Sequence, residues 1–235
     1  MKSESALKKK SSIIKMEPLI CIFAHPDDEA FGPAGSIAKF ASEREVHLIC
    51  VTNGNADDQF TKKKGYAKSL GEIRRQELNN SAQILGIKSV QFLEFDDGSL
   101  SNNLYHKIAS KLEQLLDEIR PDTIMTFESN GISGHIDHIT VSLVSTYVFQ
   151  KLDYIKTLLY YAETEAMMKM IPNYFIYVPP GYKKDQLDLT INIEKFWDKK
   201  VNAMHAHQTQ EEDEKLILCI LKNFPKEEHF LVKRK

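Results

Sequence analysis

Cysteine is scarce in this chain: three residues among 235, too few and too scattered for a disulfide framework. No run of about 18 apolar residues occurs, and the lysine-bearing N-terminus has no apolar segment of signal-peptide length. A serine-nucleophile elbow, a dinucleotide-binding glycine fingerprint and a phosphate-binding loop are missing as well. These absences predict a cytoplasmic protein without a membrane span, and they exclude the enzyme classes that those motifs identify.

Charge of one sign does not dominate, because 31 basic and 33 acidic residues leave a net charge of −2. This balance argues against a nucleic-acid or anionic-lipid surface, so we expect small molecules as partners and leave open whether the chain forms a homo-oligomer. With 42% hydrophobic residues the chain can build one sizeable core. We predict a flexible tail over 1–17 and a single domain over 18–235.

Apolar strand-like segments alternate with amphipathic helical segments along the chain. Strands are predicted at PLICIFA, EVHLICVT, SVQFLEF, DTIMTFE, TLLYYAE, YFIYVP and LDLTINI. Helices are predicted over 29–44, 69–85, 104–120, 135–152 and 194–221. Buried strands joined by helices favour an α/β fold of the Rossmann-like, doubly wound class, with a mostly parallel sheet and helices on both faces.

Two polar clusters follow the first and fourth predicted strands. IFAHPDDEAFG places His25, Asp27 and Asp28 after the first strand, and GISGHIDHIT places His135 and His138 after the fourth. Open α/β sheets bind ligands beyond the carboxyl ends of the strands, at the point where the strand order reverses. In the commonest order the fourth strand lies beside the first, so we expect the two clusters to form one site.

Converging imidazoles and carboxylates suit zinc or another divalent transition metal, held by three protein ligands with one position left for water. A spacing of three residues places His25 beside Asp28, and His135 beside His138, where each segment is helical. Asp27 is then free to act on the water. The alternative is that an aspartate caps the next helix; histidines have no such reason to lie at a helix start, because cations suit the opposite end.

The motifs AHPDDEAFGPAGSI and GHIDH, together with EIRRQEL, DDG and AHQTQ, resemble the LmbE/PIG-L family of zinc-dependent de-N-acetylases over residues 18–210. The resemblance implies an LmbE-like fold in which His25, Asp28 and His138 hold Zn²⁺. It also implies that Asp27 is the general base.

Five further residues receive roles from the same resemblance. His135 would stabilise the charged tetrahedral intermediate, with Asp137 orienting it. Arg74 and Asp97 would contact the sugar, and His207 would line the same substrate-binding cleft. Substrate specificity is expected to reside in the loops, which a single sequence does not decode.

The implied activity is removal of the acetyl group from an N-acetylated amino sugar, such as an N-acetylglucosaminyl conjugate, by attack of zinc-bound water. One alternative is a metal-dependent phosphoesterase, although two-metal sites usually need more ligands than this chain offers. Another is a non-catalytic sugar- or metal-binding protein on the same fold. A pure binder has no need of a base such as Asp27 beside the ligands.

Overall fold

The computed structural model describes residues 16–56, 67–172 and 175–235. Most of the predicted tail over 1–17 therefore lies outside the described residues, and the division into a tail and one domain stays a prediction. Residues 57–66 and 173–174 lie outside them as well, including Tyr174, the first residue of the predicted strand YFIYVP.

A seven-stranded sheet forms the centre of the fold. In chain order its strands are β1 (Leu19–Phe23), β2 (Val46–Thr52), β3 (Ser89–Phe95), β4 (Thr123–Phe127), β5 (Thr157–Ala162), β6 (Leu189–Asn192) and β7 (Glu227–Arg234). They lie in the order β3-β2-β1-β4-β5-β7-β6. The first five strands pair in parallel, whereas β7 is antiparallel to both β5 and β6. The predicted doubly wound, mostly parallel sheet is confirmed.

Helices and single turns connect the strands. The helices are α1 (Asp28–Phe31), α2 (Ala34–Ala41), α3 (Leu70–Leu85), α4 (Tyr105–Ile119), α5 (Gly131–Gly134), α6 (Ile136–Lys151), α7 (Glu165–Met168), α8 (Trp197–His205) and α9 (Glu211–Leu221). Single 3₁₀ turns lie at Lys184–Gln186, Glu194–Phe196 and Gln208–Gln210. Within the described ranges, every helix is too short or too polar to cross a membrane.

Three central strands are covered on both faces, and their carboxyl ends position the site. Every residue of β1, β2 and β4 is buried, as their continuous apolar sequences predict. β1 lies between β2 and β4, so the strand order reverses beside β1. The carboxyl ends of β1 and β4 therefore open into the crevice where this class of fold binds ligands.

Local signals account for the helix ends that the sequence predicted well. Ser69 caps α3 in a reciprocal pair with Glu72, each side chain accepting a hydrogen bond from the other residue's backbone. Gly86 ends the same helix with a φ of 86°, which only glycine adopts at no steric cost.

Three secondary-structure predictions were wrong. The helix predicted over 29–44 is split into α1 and α2 around Gly32 and Pro33, and the described part of YFIYVP forms no strand. The last predicted helix, over 194–221, is broken between α8 and α9, and the strand β7 that follows was not predicted. Proline cannot donate the backbone hydrogen bond that a continuous helix needs, which explains the first break.

Candidate active site

The two predicted clusters meet where β1 and β4 end. β1 and β4 are paired in parallel, so the segments that leave them start at the same edge of the sheet. His25 Nδ1 lies 3.1 Å from His138 Nε2, although 113 residues separate them in the chain. Both carboxylate oxygens of Asp28 join them, with Oδ1 3.3 Å from His138 Nε2 and Oδ2 3.7 Å from His25 Nδ1.

The spacing of these atoms fits a small tetrahedral metal site. Metal–ligand bonds of 2.0–2.1 Å at tetrahedral angles separate the ligand atoms by about 3.3 Å. His138 Nε2 lies 3.1 Å from His25 Nδ1 and 3.3 Å from Asp28 Oδ1, both close to that value. The other oxygen of Asp28, Oδ2, accepts the backbone N–H of His25 at 2.6 Å, which leaves Oδ1 as the oxygen available to a metal. Two imidazoles and one carboxylate are also a donor set that suits zinc. We call these three residues the metal triad.

The far nitrogen of each histidine is held by an acceptor. His25 Nε2 lies 3.0 Å from Asp97 Oδ1 and 3.2 Å from Asp137 Oδ2, and His138 Nδ1 lies 3.1 Å from the carbonyl oxygen of Gly131. Because these acceptors cannot donate, each far nitrogen carries the proton. His25 Nδ1 and His138 Nε2 are the nitrogens left to bind a metal, and acceptors of this kind commonly fix metal-binding imidazoles.

The carboxylates around His25 favour a positive charge in the site, as the pKa of His25 indicates. Burial lowers the pKa of His25, but the hydrogen bonds to Asp137 and Asp97 and the charge of Asp28 outweigh it and raise the pKa to about 10. An imidazolium therefore balances these carboxylates without a metal. A divalent cation would replace that proton, since metal binding competes with protons for the same ligand atoms.

Two other groupings of potential ligand atoms share His25 with the metal triad. Single ligand atoms of His25, Asp97, His135 and Asp137 lie within 4.8 Å of one another, and so do those of His25, His135 and His138. The Asp137 carboxylate, however, already accepts the backbone N–H groups of Gly98 at 2.8 Å and Leu100 at 3.0 Å. These bonds make Asp137 a support for His25 rather than a free ligand.

Asp27 lies beside the metal triad and faces a different environment. Its side chain is 14% exposed, and Oδ2 accepts a hydrogen bond of 2.8 Å from Arg74. Burial raises the pKa of Asp27 and the charge of Asp28 adds to this, whereas Arg74 opposes it, which leaves the pKa at about 6. For Asp28 burial also raises the pKa, but His138 and His25 together hold it well below its usual range.

His135 begins α6 and is held in one tautomer. Its Nδ1 accepts a hydrogen bond of 3.0 Å from the backbone N–H of Asp137, so the proton of the neutral ring is on Nε2. Burial, followed by the charges of His25 and His138, lowers the pKa of His135 to about 4. The backbone of Asp137 thus orients His135, while its carboxylate contacts His25.

Arg74 and Asp97, predicted as sugar contacts, are engaged with residues of the site. The Arg74 guanidinium donates to Asp27, to Asp97 at 3.4 Å, and to the carbonyl oxygens of Pro26 at 3.1 Å and Gly54 at 3.3 Å. Asp97 divides its carboxylate between Arg74 and His25. The structure thus places both side chains behind Asp27 and His25.

His207, predicted as a substrate contact that lines the cleft, is fully buried behind α1. Its Nε2 lies 2.8 Å from Glu29 Oε1, which also accepts the hydroxyl of Ser81. His207 packs edge-on against the ring of Phe31. Phe31 in turn lines the cleft described next. In this position His207 supports the helix that carries Asp28.

A cavity of about 320 Å³, here called the cleft, opens from the metal triad. Asp27, His135 and the triad lie along it. Its remaining wall is mainly apolar and comes from α7, α9 and residues on either side of the undescribed pair 173–174: Met167, Ile171, Phe175, Leu216, Ile217, Ile220 and Leu221. Sequence reasoning missed this wall, and it also missed Tyr161 near the end of β5 and Glu163 directly after it, at the same edge of the sheet.

Comparisons with known proteins identify the family of this chain. A family model described as PIG-L, GlcNAc-PI de-N-acetylase, matches residues 20–148. A 1D-myo-inositol 2-acetamido-2-deoxy-alpha-D-glucopyranoside deacetylase of Mycolicibacterium smegmatis is 27% identical over 231 aligned residues, covering 82% of this chain and 79% of that protein.

Two solved structures share the fold. The N,N'-diacetylchitobiose deacetylase of Pyrococcus horikoshii has a TM-score of 0.70 at 20% identity, over 93% of this chain and 84% of that one. A 4-carboxy-2-hydroxymuconate hydratase of Pseudomonas putida has a TM-score of 0.67 at 16% identity, over 94% and 97%. The same fold thus carries a different reaction in the second protein, so the site must decide the chemistry.

Proposed function

Because the chain belongs to the PIG-L family of GlcNAc-PI de-N-acetylases, we propose that it removes the acetyl group from an N-acetylated amino sugar by metal-dependent hydrolysis. The observation that carries the proposal is the metal triad, in which His138 Nε2 lies 3.1 Å from His25 Nδ1 and 3.3 Å from Asp28 Oδ1. Asp27 lies beside the triad on the same cleft. A metal site with an adjacent base suits hydrolysis better than simple binding.

The metal triad is the proposed zinc site, with His25, Asp28 and His138 as ligands. When bound there, zinc would supply a Lewis acid and would lower the pKa of a water molecule to about 7. Neighbouring groups orient the two histidine ligands. Asp97 and Asp137 orient His25, and the carbonyl oxygen of Gly131 orients His138.

Asp27 is the proposed general base. A carboxylate with a pKa of about 6 is largely ionised at neutral pH and can accept a proton from the attacking water. The same pKa lets the protonated form return that proton to the sugar amine as the C–N bond breaks. Arg74 keeps the carboxylate in place through Oδ2.

His135 is the proposed donor to the negative oxygen of the tetrahedral intermediate. The lowered pKa of His135, about 4, keeps its ring neutral at physiological pH. The backbone N–H of Asp137 occupies Nδ1, so Nε2–H is the available donor. Removal of one donor of this type typically reduces the rate by about 10²–10³. A neutral His135 also leaves Asp27 as the better acid for the leaving amine.

The substrate class follows from what the named relatives act upon. The M. smegmatis protein is named for a 2-acetamido-2-deoxyglucopyranoside, and the P. horikoshii protein for diacetylchitobiose. Both substrates carry an acetamide on an amino sugar. We therefore propose an N-acetylglucosaminyl conjugate as the substrate of this chain.

An Asp27→Asn variant tests the proposal. Asparagine keeps an oxygen for Arg74 but cannot accept a proton, so we expect zinc content to stay at one ion per chain while acetate release falls by about 10²–10⁴. Acetate is measured over a panel of N-acetylglucosaminides, together with zinc content. The exposed Asp153→Asn is the matched control and should keep wild-type activity.

Two outcomes would contradict the proposal. Wild-type turnover in Asp27→Asn would remove Asp27 as the base. Equal acetate release by zinc-loaded and chelator-treated wild-type protein would remove the metal from the reaction.

A further inference from the structure

One peptide unit, Gly131–Ile132, lies between the carboxylate of Glu128 and the imidazole of His138. Its N–H, from Ile132, donates to Glu128 Oε1 at 2.8 Å. Its carbonyl, from Gly131, accepts from His138 Nδ1 at 3.1 Å. In a trans peptide these two groups point in opposite directions. An acceptor fixed on one side therefore aims the carbonyl on the other.

The backbone around this peptide is in a costly conformation. Ile132 has φ 64° and ψ −64°, a region in which a β-branched residue is rarely found. Gly131 has φ 68°, and a Cβ added there would lie 2.7 Å from Cβ of His138, so only glycine fits against this turn of α6. Such a conformation persists only where the surroundings hold it in place.

Glu128 stabilises this backbone conformation through hydrogen bonds. It is 2% exposed, and its carboxylate also accepts the backbone N–H of Asn130 at 2.8 Å and the hydroxyl of Tyr182 at 2.8 Å. Its own carbonyl accepts the N–H of Gly131 at 2.9 Å. All of these donors are neutral, so the negative charge is free to polarise the peptide that it binds.

We propose that Glu128 is a positioning residue for His138, acting through the Gly131–Ile132 peptide. It fixes the carbonyl that takes the Nδ1 proton, and this leaves the lone pair of His138 Nε2 directed at Asp28 and His25. Carboxylates often contact metal-binding histidines directly; here one peptide unit stands between the two. The inference rests on the metal-dependent function proposed above.

Zinc affinity, measured by competition with a chromogenic chelator, tests this role. A Glu128→Gln side chain has one carbonyl oxygen. Asn130, through its backbone N–H and Nδ2, and Tyr182 all donate at the Oε2 position, so the oxygen is placed there and the NH₂ group faces the Ile132 N–H. We expect zinc binding to weaken by about 10–100-fold, the usual effect of losing a residue that orients a metal ligand. Tyr182→Phe is the matched control: it removes a donor from Oε2 but leaves the Ile132 bond on Oε1, and zinc affinity should not change.

Wild-type zinc affinity in Glu128→Gln would overturn the inference, and so would an equal loss in both variants, because general loosening would then explain it. If Glu128→Gln does not fold, hydrogen exchange at the Ile132 amide of the wild-type protein decides. Slow exchange supports the bond to Glu128, and exchange as fast as in exposed loops overturns it. A wild-type protein that binds no zinc contradicts the proposed function itself, which separates the two failures.

Discussion

Asp27 and Asp28 are neighbours in the sequence, yet their carboxyl groups have opposite electrostatic surroundings. Burial raises the pKa of Asp27 to about 6, whereas two histidines hold the pKa of Asp28 well below its usual range. Two carboxyl groups whose environments separate their pKa values commonly divide acid–base work from charge stabilisation. The division supports Asp28 as the proposed ligand and Asp27 as the proposed base.

The pH dependence of kcat/KM tests the role of Asp27. Protonated Asp27 cannot accept a proton, so we expect kcat/KM to fall as the pH drops through about 6. Arg74 lowers the pKa of Asp27. Arg74→Gln should therefore move this acidic limb to higher pH in a full pH–rate profile.

Arg75 provides the control for that profile, because it is adjacent in sequence but pairs with Glu94. Arg75→Gln should leave the acidic limb in place. An Arg74→Gln profile that does not move, or that moves to lower pH, would contradict the assignment of the limb to Asp27.

At the residue scale, strand position predicted that the two polar clusters meet, and the family resemblance implied which residues are the ligands. Neither predicted the residues that orient those ligands. Asp137 contacts His25 because the turn after β3 presents the N–H groups of Gly98 and Leu100 to its carboxylate. That turn lies 37 residues or more away in the chain. Nothing in the spacing GHIDH indicates whether Asp137 contacts His25 or His135.

At the scale of elements, one buried ion pair connects three parts of the fold. Glu228 on β7 accepts the backbone N–H groups of Gly35 and Ser36 at the start of α2, at 3.0 and 2.6 Å. Lys200 on α8 donates to the same carboxylate at 2.8 Å and to the carbonyl of Gly32. Gly32 follows α1, so this pair holds the helix that carries Asp28.

Replacing Lys200 tests how much this connection stabilises the fold. Lys200 and Glu228 are each 2% exposed at the side chain, and removal of one partner of a buried pair leaves an uncompensated charge. We expect Lys200→Met to lower the free energy of unfolding by about 3–5 kcal/mol, measured by denaturant titration.

The exposed pair Lys226–Glu194, with side chains 35% and 64% exposed, is the matched comparison. Lys226→Met should lower the free energy of unfolding by less than about 1 kcal/mol. Equal effects of the two substitutions would show that the buried pair stabilises the fold no more than the exposed pair does.

The same elements show where sequence reasoning stops. The periodicity of 69–85 and its capping residues predict α3 because all the signals are local. β7 was missed because its place depends on pairing with β5 and β6, both distant in sequence. The break between α1 and α2 does have a local signal, because Gly32 and Pro33 together mark a helix boundary.

At the scale of the whole molecule, strand order brings the site together. Alternating strands and helices led us to expect the fourth strand beside the first, and the observed order β3-β2-β1-β4-β5 places the ends of β1 and β4 side by side. The apolar wall of the cleft could not be predicted in this way. Its α9 residues reach the site because α9 contacts α8, which packs against α1, α2 and α3, all distant in sequence.

The central claim is that the ends of β1 and β4 jointly hold one zinc ion. An anomalous difference map, collected at the zinc absorption edge from crystals grown with zinc, tests it most directly. We predict one strong peak per chain, within bonding distance of His25 Nδ1, His138 Nε2 and Asp28. A map with no peak there, or with its peak among Asp97, Asp137 and His135, would contradict the claim.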